Sequence, residues 1–242
     1  MLAVAAELSA GASAAEASRR TGIPWRTIRK WELAGMATVA ARRLPARLCA
    51  AGTCALIDRL PEDRYAYLLG QYLGDGSLVR FPRTWRLEVH GDEKYVSIVS
   101  EVRDAMLAVM PTSKVGIRHR NGCAVVSSYG NHWACLFPQH GPGPKHSRTI
   151  ELAPWQREIA TAKPKQLLRG LVHSDGCRVI NTVKGHGYPR YHFSNRSDDI
   201  RGIFVWACEV VGIECRHNNR YSLSVARRQS VEQMDTFIGP KR

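Results

Sequence analysis

Long apolar runs are missing from this 242-residue sequence. No stretch approaches the ~20 residues that a membrane-spanning helix needs, so no membrane span is expected. The first residues, Met1-Leu2-Ala3-Val4-Ala5-Ala6-Glu7, lack a basic leader and carry an early acid, so no secretion signal is expected. Acidic residues are scarce: 21 Asp and Glu stand against 35 Lys and Arg, a formal charge of +14. Such a surface suits a polyanion, with nucleic acid the first candidate partner and a membrane surface the second. Seven cysteines, an odd number without a secretion signal, argue for reduced thiols in a cytoplasm. Cys49 and Cys54 have four residues between them, the spacing of half a zinc site. No second Cys/His pair stands near them in sequence and Cys123 is remote, so unligated thiols are expected there. Gly141-Pro142-Gly143-Pro144-Lys145 lacks phosphate-loop spacing and reads as a rigid loop.

What is present is a short pattern that occurs twice, 100 residues apart: Leu68-Leu69-Gly70-Gln71-Tyr72-Leu73-Gly74-Asp75-Gly76 and Leu168-Arg169-Gly170-Leu171-Val172-His173-Ser174-Asp175-Gly176. Each is an apolar helical stretch with a mid-helix glycine, and each ends in Asp-Gly. Gly70 and Gly170 allow two such helices to approach backbone to backbone. Asp75 and Asp175 then lie side by side, where they repel unless a cation neutralises them. For an all-oxygen site that cation is Mg²⁺, with Mn²⁺ its close substitute.

The segments around the two copies follow one order. After Asp75-Gly76 come hairpin strands Ser77–Phe81 and Trp85–His90, a helix from Asp92 to Met110, a hairpin Lys114–Arg118 and Cys123–Tyr129 across Arg120-Asn121-Gly122, and a helix around His132–Phe137. After Asp175-Gly176 come Cys177–Val183 and Tyr188–Asn195, a helix Ser197–Val211, a hairpin Ile213–Asn218 and Tyr221–Ala226, and a helix Ser230–Ile238. The reading is an α+β chain with two αββαββα repeats, 63–150 and 151–242, behind a small helical domain, 1–36, and a basic linker, 37–62. The linker carries Arg42, Arg43 and Arg47, with one short helix expected over Leu48–Leu60. In the first domain Ser13 can cap a helix through Arg20, Thr21-Gly22-Ile23 turns, and Pro24 opens a helix from Trp25 to Ala34. Ala14, Ala17, Ile23, Ile28 and Trp31 would form its core. This spacing resembles the helix-turn-helix family, which implies that Arg26, Thr27, Arg29 and Lys30 face DNA.

The paired helices ending in Gly74-Asp75-Gly76 and Ser174-Asp175-Gly176 resemble the LAGLIDADG homing endonucleases over roughly residues 63–238. The resemblance implies a single-chain pseudo-dimer, a monomer with internal twofold symmetry whose two sheets form a saddle on double-stranded DNA. It implies that Asp75 and Asp175 bind the catalytic metal, with the carbonyls of Gly74 and Ser174 as further ligands. It also implies a basic residue near the end of the second hairpin of each repeat. Arg227 and Arg228 follow that hairpin in the second repeat. The matching Ser127-Ser128-Tyr129 of the first has no cation, which leaves Lys145 or Arg148 as substitutes and cleavage of one strand in question. Base reading is expected from Arg80, Arg86, Glu88 and His90 in the first repeat, and from Arg178, Asn181, Arg190, His192 and Asn195 in the second; a one-residue slip in register exchanges the faces.

Other readings weigh less. Asn131-His132 and His140/His146 lack the strand-strand-helix arrangement of an HNH-type nuclease. The ends do not match an intein, so a free-standing cytoplasmic, nucleoid-associated protein is expected. The leading function is a metal-dependent DNA endonuclease. The alternatives are a non-cleaving helix-turn-helix transcriptional regulator on the same fold, which would explain the N-terminal domain, and an RNA-splicing helper.

Overall fold

The computed structural model describes residues 2–34 and 54–241. Arg42, Arg43 and Arg47, and the first six residues of the helix expected over Leu48–Leu60, lie outside the described residues; Ile57–Arg59 forms a single 3-10 turn. The chain divides into two units, Met1–Ala50 and Ala51–Arg242. No helix among the described residues is long and apolar enough to cross a membrane.

The first unit holds α1 (Leu2–Ser9), α2 (Ala14–Thr21) and α3 (Trp25–Ala34). Ser13 caps α2 with a reciprocal bond from Glu16, and Gly22 closes it at φ 69°, a conformation glycine adopts without cost. Val4, Ala14, Ala17, Ile28 and Trp31 form its buried core, with Ile23 packed beside them. Arg26 and Arg29 are exposed and Thr27 is half-buried on α3; Lys30 lies on the same helix, and its side chain is outside the described residues.

The second unit contains the two repeats. The first runs α4 (Glu62–Asp75), β1 (Gly76–Phe81), β2 (Thr84–Asp92), α5 (Val96–Val109), β3 (Val115–Arg120), β4 (Cys123–Tyr129) and α6 (Trp133–Leu136). After α7 (Pro154–Ala162) comes the second: α8 (Pro164–Asp175), β5 (Gly176–Val183), β6 (His186–Ser194), α9 (Asp198–Val210), β7 (Arg216–Asn219), β8 (Ser222–Val225) and α10 (Arg228–Asp235). The sheets are antiparallel with matching orders, β1-β2-β4-β3 and β5-β6-β8-β7. Two hairpins turn on residue pairs with positive φ, Asn121-Gly122 and Lys184-Gly185, whose twist matches that of the strands they join.

Several boundaries shift by a few residues from the sequence reading, with β7 starting at Arg216 in place of Ile213 and α10 at Arg228 in place of Ser230, and one helix was not expected. Asp92 closes β2 instead of opening a helix; its carboxylate accepts the Lys94 backbone N–H at 3.1 Å, and α5 starts at Val96. α7 lies in a stretch for which no element was expected. It carries proline in its first turn, and its buried Gln156 donates to the Tyr65 hydroxyl on α4 at 2.8 Å. One core, including Leu68, Leu69, Leu168 and Leu171, runs through both repeats.

Candidate metal and DNA-contacting site

α4 and α8 meet at their glycines. A Cβ on Gly70 would lie 2.5 Å from the Leu167 carbonyl oxygen and 2.7 Å from the Leu171 nitrogen, and one on Gly170 would strike the Tyr67 carbonyl. No other residue fits either position. One helical turn later, a Cβ on Gly74 would lie 2.8 Å from Asp175 Oδ2, so the second carboxylate rests over the end of the first helix. Ser174 stands where its counterpart is Gly74, and its hydroxyl donates back along its own helix to Gly170 O (3.1 Å) and Leu171 O (3.0 Å).

The pair is electrostatically loaded. Burial pushes the Asp75 carboxyl up to about 6, and the neighbouring Asp175 adds to the rise, while Lys145 and Lys241 oppose it. Asp175 is also raised by burial, but a hydrogen bond from Asn195, then Lys145 and Lys241, pull it back. Asn195 Nδ2 donates to Asp175 Oδ2 at 2.7 Å, and its own Oδ1 accepts the Ser197 N–H at 2.8 Å, which fixes the carboxamide orientation. Asn195 was expected to read bases; here it braces the carboxylate.

Two lysines serve the site, and they are pseudo-equivalent. Gly143-Pro144-Lys145 and Gly239-Pro240-Lys241 repeat one tripeptide 96 positions apart, each with its glycine at positive φ, 76° and 70°. Lys145 Nζ donates to Leu73 O (3.1 Å) and Gly74 O (2.9 Å), placing a cation at the negative end of α4. Burial brings its ammonium down to about 8, with Asp175 and Asp75 opposing. Lys241 lines a cleft with Asp75, Ser174 and His90, and burial lowers its ammonium too. Its segment is held by the second motif helix. Arg169 donates to Phe237 O at 2.7 Å and to Ile238 O, with Glu101 gripping its far side. His173 Nε2–H donates to Ile238 O at 2.9 Å, leaving Nδ1 to accept from the Tyr67 hydroxyl at 3.1 Å. Burial takes the His173 imidazole down to about 4, so the ring is neutral.

Arg227 and Arg228, the cations expected for the second repeat, are elsewhere. Arg227 pairs with Glu214 at 3.3 Å and Arg228 with Glu232 at 2.8 Å, both exposed. The reason is the path of the chain: α10 begins at Arg228, and the segment after its far end brings Lys241 to the carboxylates. Arg148, the other substitute weighed for the first repeat, donates to the Gln139 carbonyl.

Strand register separates the expected base readers. Gly76 and Gly176 face the helices they follow, because a Cβ would press on Tyr72 or Val172. Alternation then turns Ser77, Val79 and Phe81, or Cys177, Val179 and Asn181, to the open face. Arg86 opposes Val79, and Arg190 opposes Val179, so these two arginines are pseudo-equivalent on the open faces. Each has a buried Nε without a hydrogen-bond partner. Asn181 and His192 share the second open face, where Asn218 Nδ2 lies 3.2 Å from His192 Nδ1. Glu88 and His90 lie on the first, with Glu88 held between Arg86 (3.0 Å) and Arg118 (2.7 Å). Arg80 and Arg178 have the opposite parity. Arg80 stacks over Trp85 at 4.9 Å, and Arg178 forms a two-pronged pair with Asp235 at 2.7 and 2.8 Å. Both are corrections to the expected set.

Two carboxylates and the nearby backbone carbonyls form an all-oxygen donor set suited to a hard divalent cation, with two ammonium groups standing beside it. No protein family matches this sequence, and no curated protein does so. Solved structures do match. The homing endonuclease I-DmoI in complex with DNA and Mn is 14% identical, with a TM-score of 0.51 over 74% of this chain and 98% of that one. Mesophilic variants of I-DmoI give 13%, 0.49, and 74% and 97%. The LAGLIDADG meganuclease I-AabMI bound to uncleaved DNA gives 9%, 0.47, and 72% and 82%. With two αββαββα repeats seamed through paired Asp-Gly helices, this chain has the fold of the LAGLIDADG homing endonucleases.

Proposed function

We propose that this protein is a site-specific, metal-dependent endonuclease of double-stranded DNA. The observation that carries the reading is the pair of half-buried carboxylates, Asp75 and Asp175, each beside its own Gly-Pro-Lys lysine. A purely structural seam has no use for two acids that oppose each other's ionisation. The solved DNA complexes of the same fold support the choice of substrate, as does the +14 charge.

Asp75 and Asp175, with the carbonyls of Gly74 and Ser174, would hold Mg²⁺ or Mn²⁺. Bound there, the cation supplies Lewis-acid activation of the phosphodiester and a more acidic water. The chain's own residues do the rest. Asn195 orients Asp175. Lys145 and Lys241 place positive charge where the phosphate oxygens gain negative charge. Lys145, brought down to about 8, is close enough to neutrality to release or take up a proton at Nζ. Arg86, Arg190, Asn181 and His192 are the side chains that present donors to base edges from the open sheet faces. In the N-terminal unit, Arg26, Thr27, Arg29 and Lys30 on α3 add phosphate or base contacts. One chain supplies both half-sites, so the working unit is a monomer.

The test is cleavage of a randomised duplex library with Mn²⁺ by the wild type and by Asp75→Asn/Asp175→Asn. Cutting at a defined site by the wild type alone supports the nuclease. Selective binding with no cutting by either protein overturns it in favour of a transcriptional regulator.

A further inference from the structure

Cys54, His132 and Cys135 converge at a place remote from the carboxylates in sequence and function. Cys54 precedes the 3-10 turn at Ile57–Arg59, while His132 is the N-cap of α6 and Cys135 lies within it. Their ligand atoms, two Sγ and one imidazole nitrogen, all lie within 4.8 Å of one another. Cys54 Sγ is 3.4 Å from His132 Nδ1. In a tetrahedral zinc site, Zn–S of about 2.3 Å and Zn–N of about 2.0 Å set the sulfur-to-nitrogen edge at about 3.5 Å. The 3.4 Å separation matches that edge. Cys54 is buried and the other two are half-buried, so the metal would sit under the surface with little room for exchange.

From this geometry we propose a structural zinc site at Cys54, His132 and Cys135, independent of the reading of Asp75 and Asp175. Two thiolates and an imidazole are soft and borderline donors that select Zn²⁺ over Mg²⁺, so the two centres do not compete for one ion. Tetrahedral closure takes a fourth ligand. Among the described residues the cluster supplies three ligands, and the fourth position is open to water.

The site answers a local problem. α6 is one turn long, too short to persist on its own hydrogen bonds. It nevertheless positions buried Trp133, and its Leu136 carbonyl accepts from the Tyr65 hydroxyl and Gln156. Zinc would clamp that turn to the strand of chain that enters α4, and so tie the start of the motif helix to the end of the first sheet.

The experiment is zinc analysis of the full-length protein after exhaustive dialysis, with Co²⁺ substitution as a second measurement. About one zinc per chain is expected. Cys54→Ser/Cys135→Ser and His132→Ala should hold less than a tenth of that, and His132→Cys, which keeps a soft ligand, should hold it fully. Asp75→Asn/Asp175→Asn should keep its zinc. The Co²⁺ protein should show thiolate-to-metal charge transfer, a signal from wild type that needs no variant to fold. Zinc content unchanged in the cysteine double variant would overturn the proposal, as would wild type that holds neither zinc nor a Co²⁺ spectrum. A Cys54–Cys135 disulfide in protein purified under reducing conditions would overturn it as well.

Discussion

The two repeats share strand order, glycine seam and lysine, yet their carboxylates are held differently. Asp175 is braced by Asn195, whose carboxamide is fixed by the start of α9. The position that matches Asn195 across the pseudo-twofold is Gly91, since Val89 opposes Gly76 as Phe193 opposes Gly176. Asp75 therefore has no such brace, and of the two acids it is the one pushed up to about 6. The cations differ as well: Lys145 is bonded to the carbonyls at the end of α4, whereas Lys241 is delivered by a segment gripped by Arg169 and His173. Duplication preserved the places of the charged groups, and divergence changed how firmly each is held.

The sharpest way to break this comparison is to remove one lysine at a time. Lys145→Met should slow cleavage by about 10² to 10³-fold, the scale of losing one pre-positioned charge donor. Lys241→Met should cost about tenfold, because Lys241 has no comparable hydrogen bonds among the described residues. Plasmid nicking should expose the imbalance as an accumulated single-cut intermediate; equal losses and no intermediate would mean the half-sites act alike.

Next in size are the sheet arginines. Arg86→Ala and Arg190→Ala should each cost about 1–3 kcal/mol in discrimination at one base pair. Arg178→Ala should leave the base preference of a site-selection experiment unchanged, since that guanidinium is committed to Asp235.

A third prediction concerns pH and follows from the sign of the Asp75 shift. Its carboxyl ionises near 6 in the folded chain against an ordinary 3.8. Well below pH 3.8 it is protonated in both folded and unfolded states and there is no penalty. As pH rises through 6 the folded state forfeits stability, because the unfolded chain ionises more readily. Metal-free Asp75→Asn should then gain on the order of 2 to 3 kcal/mol over wild type at pH 8 and almost nothing near pH ~3, read by denaturant unfolding. Mg²⁺ should shrink that gain, and wild-type cleavage should fall as pH drops below 6.

The smallest effect separates the carboxylates directly. Asn195→Ala should raise the Asp175 carboxyl and move the acid limb of the rate profile upward, with a few-fold loss at neutral pH. An unmoved limb would mean that the brace is only structural.

Much of this was legible in the chain. The Asp-Gly copies with their mid-helix glycines gave the seam, because only glycine permits such contact. Asn121-Gly122 gave a hairpin, because that dipeptide takes positive φ readily. The face of each strand was not legible, because the sequence left the register open; only the packing of Gly76 on Tyr72 and of Gly176 on Val172 turns Arg80 and Arg178 to the helix side. Gly76 and Gly176 must face their own helices, so every second residue after them does likewise. The lysines carried a signal in the repeated Gly-Pro-Lys; in isolation each tripeptide looks like an ordinary loop, and only tertiary anchoring by Arg169 and His173 gives the second its place. The Cys54 cluster was the least accessible, because its members are brought together across 78 residues of sequence.

The glycine contact between α4 and α8 has a consequence for how such a protein changes over time. Because the helix backbones touch, the seam accepts a half that carries the same bare stripe and the polar partners beside it, such as Glu101 for Arg169 and Tyr67 for His173, whatever its sheet surface has become. Each half can drift toward a new half-site while the joint stays interchangeable, as threaded parts do when the thread is kept and the rest redesigned. Recombination across the seam should therefore yield working hybrids where both glycines survive, and separated halves where either is lost.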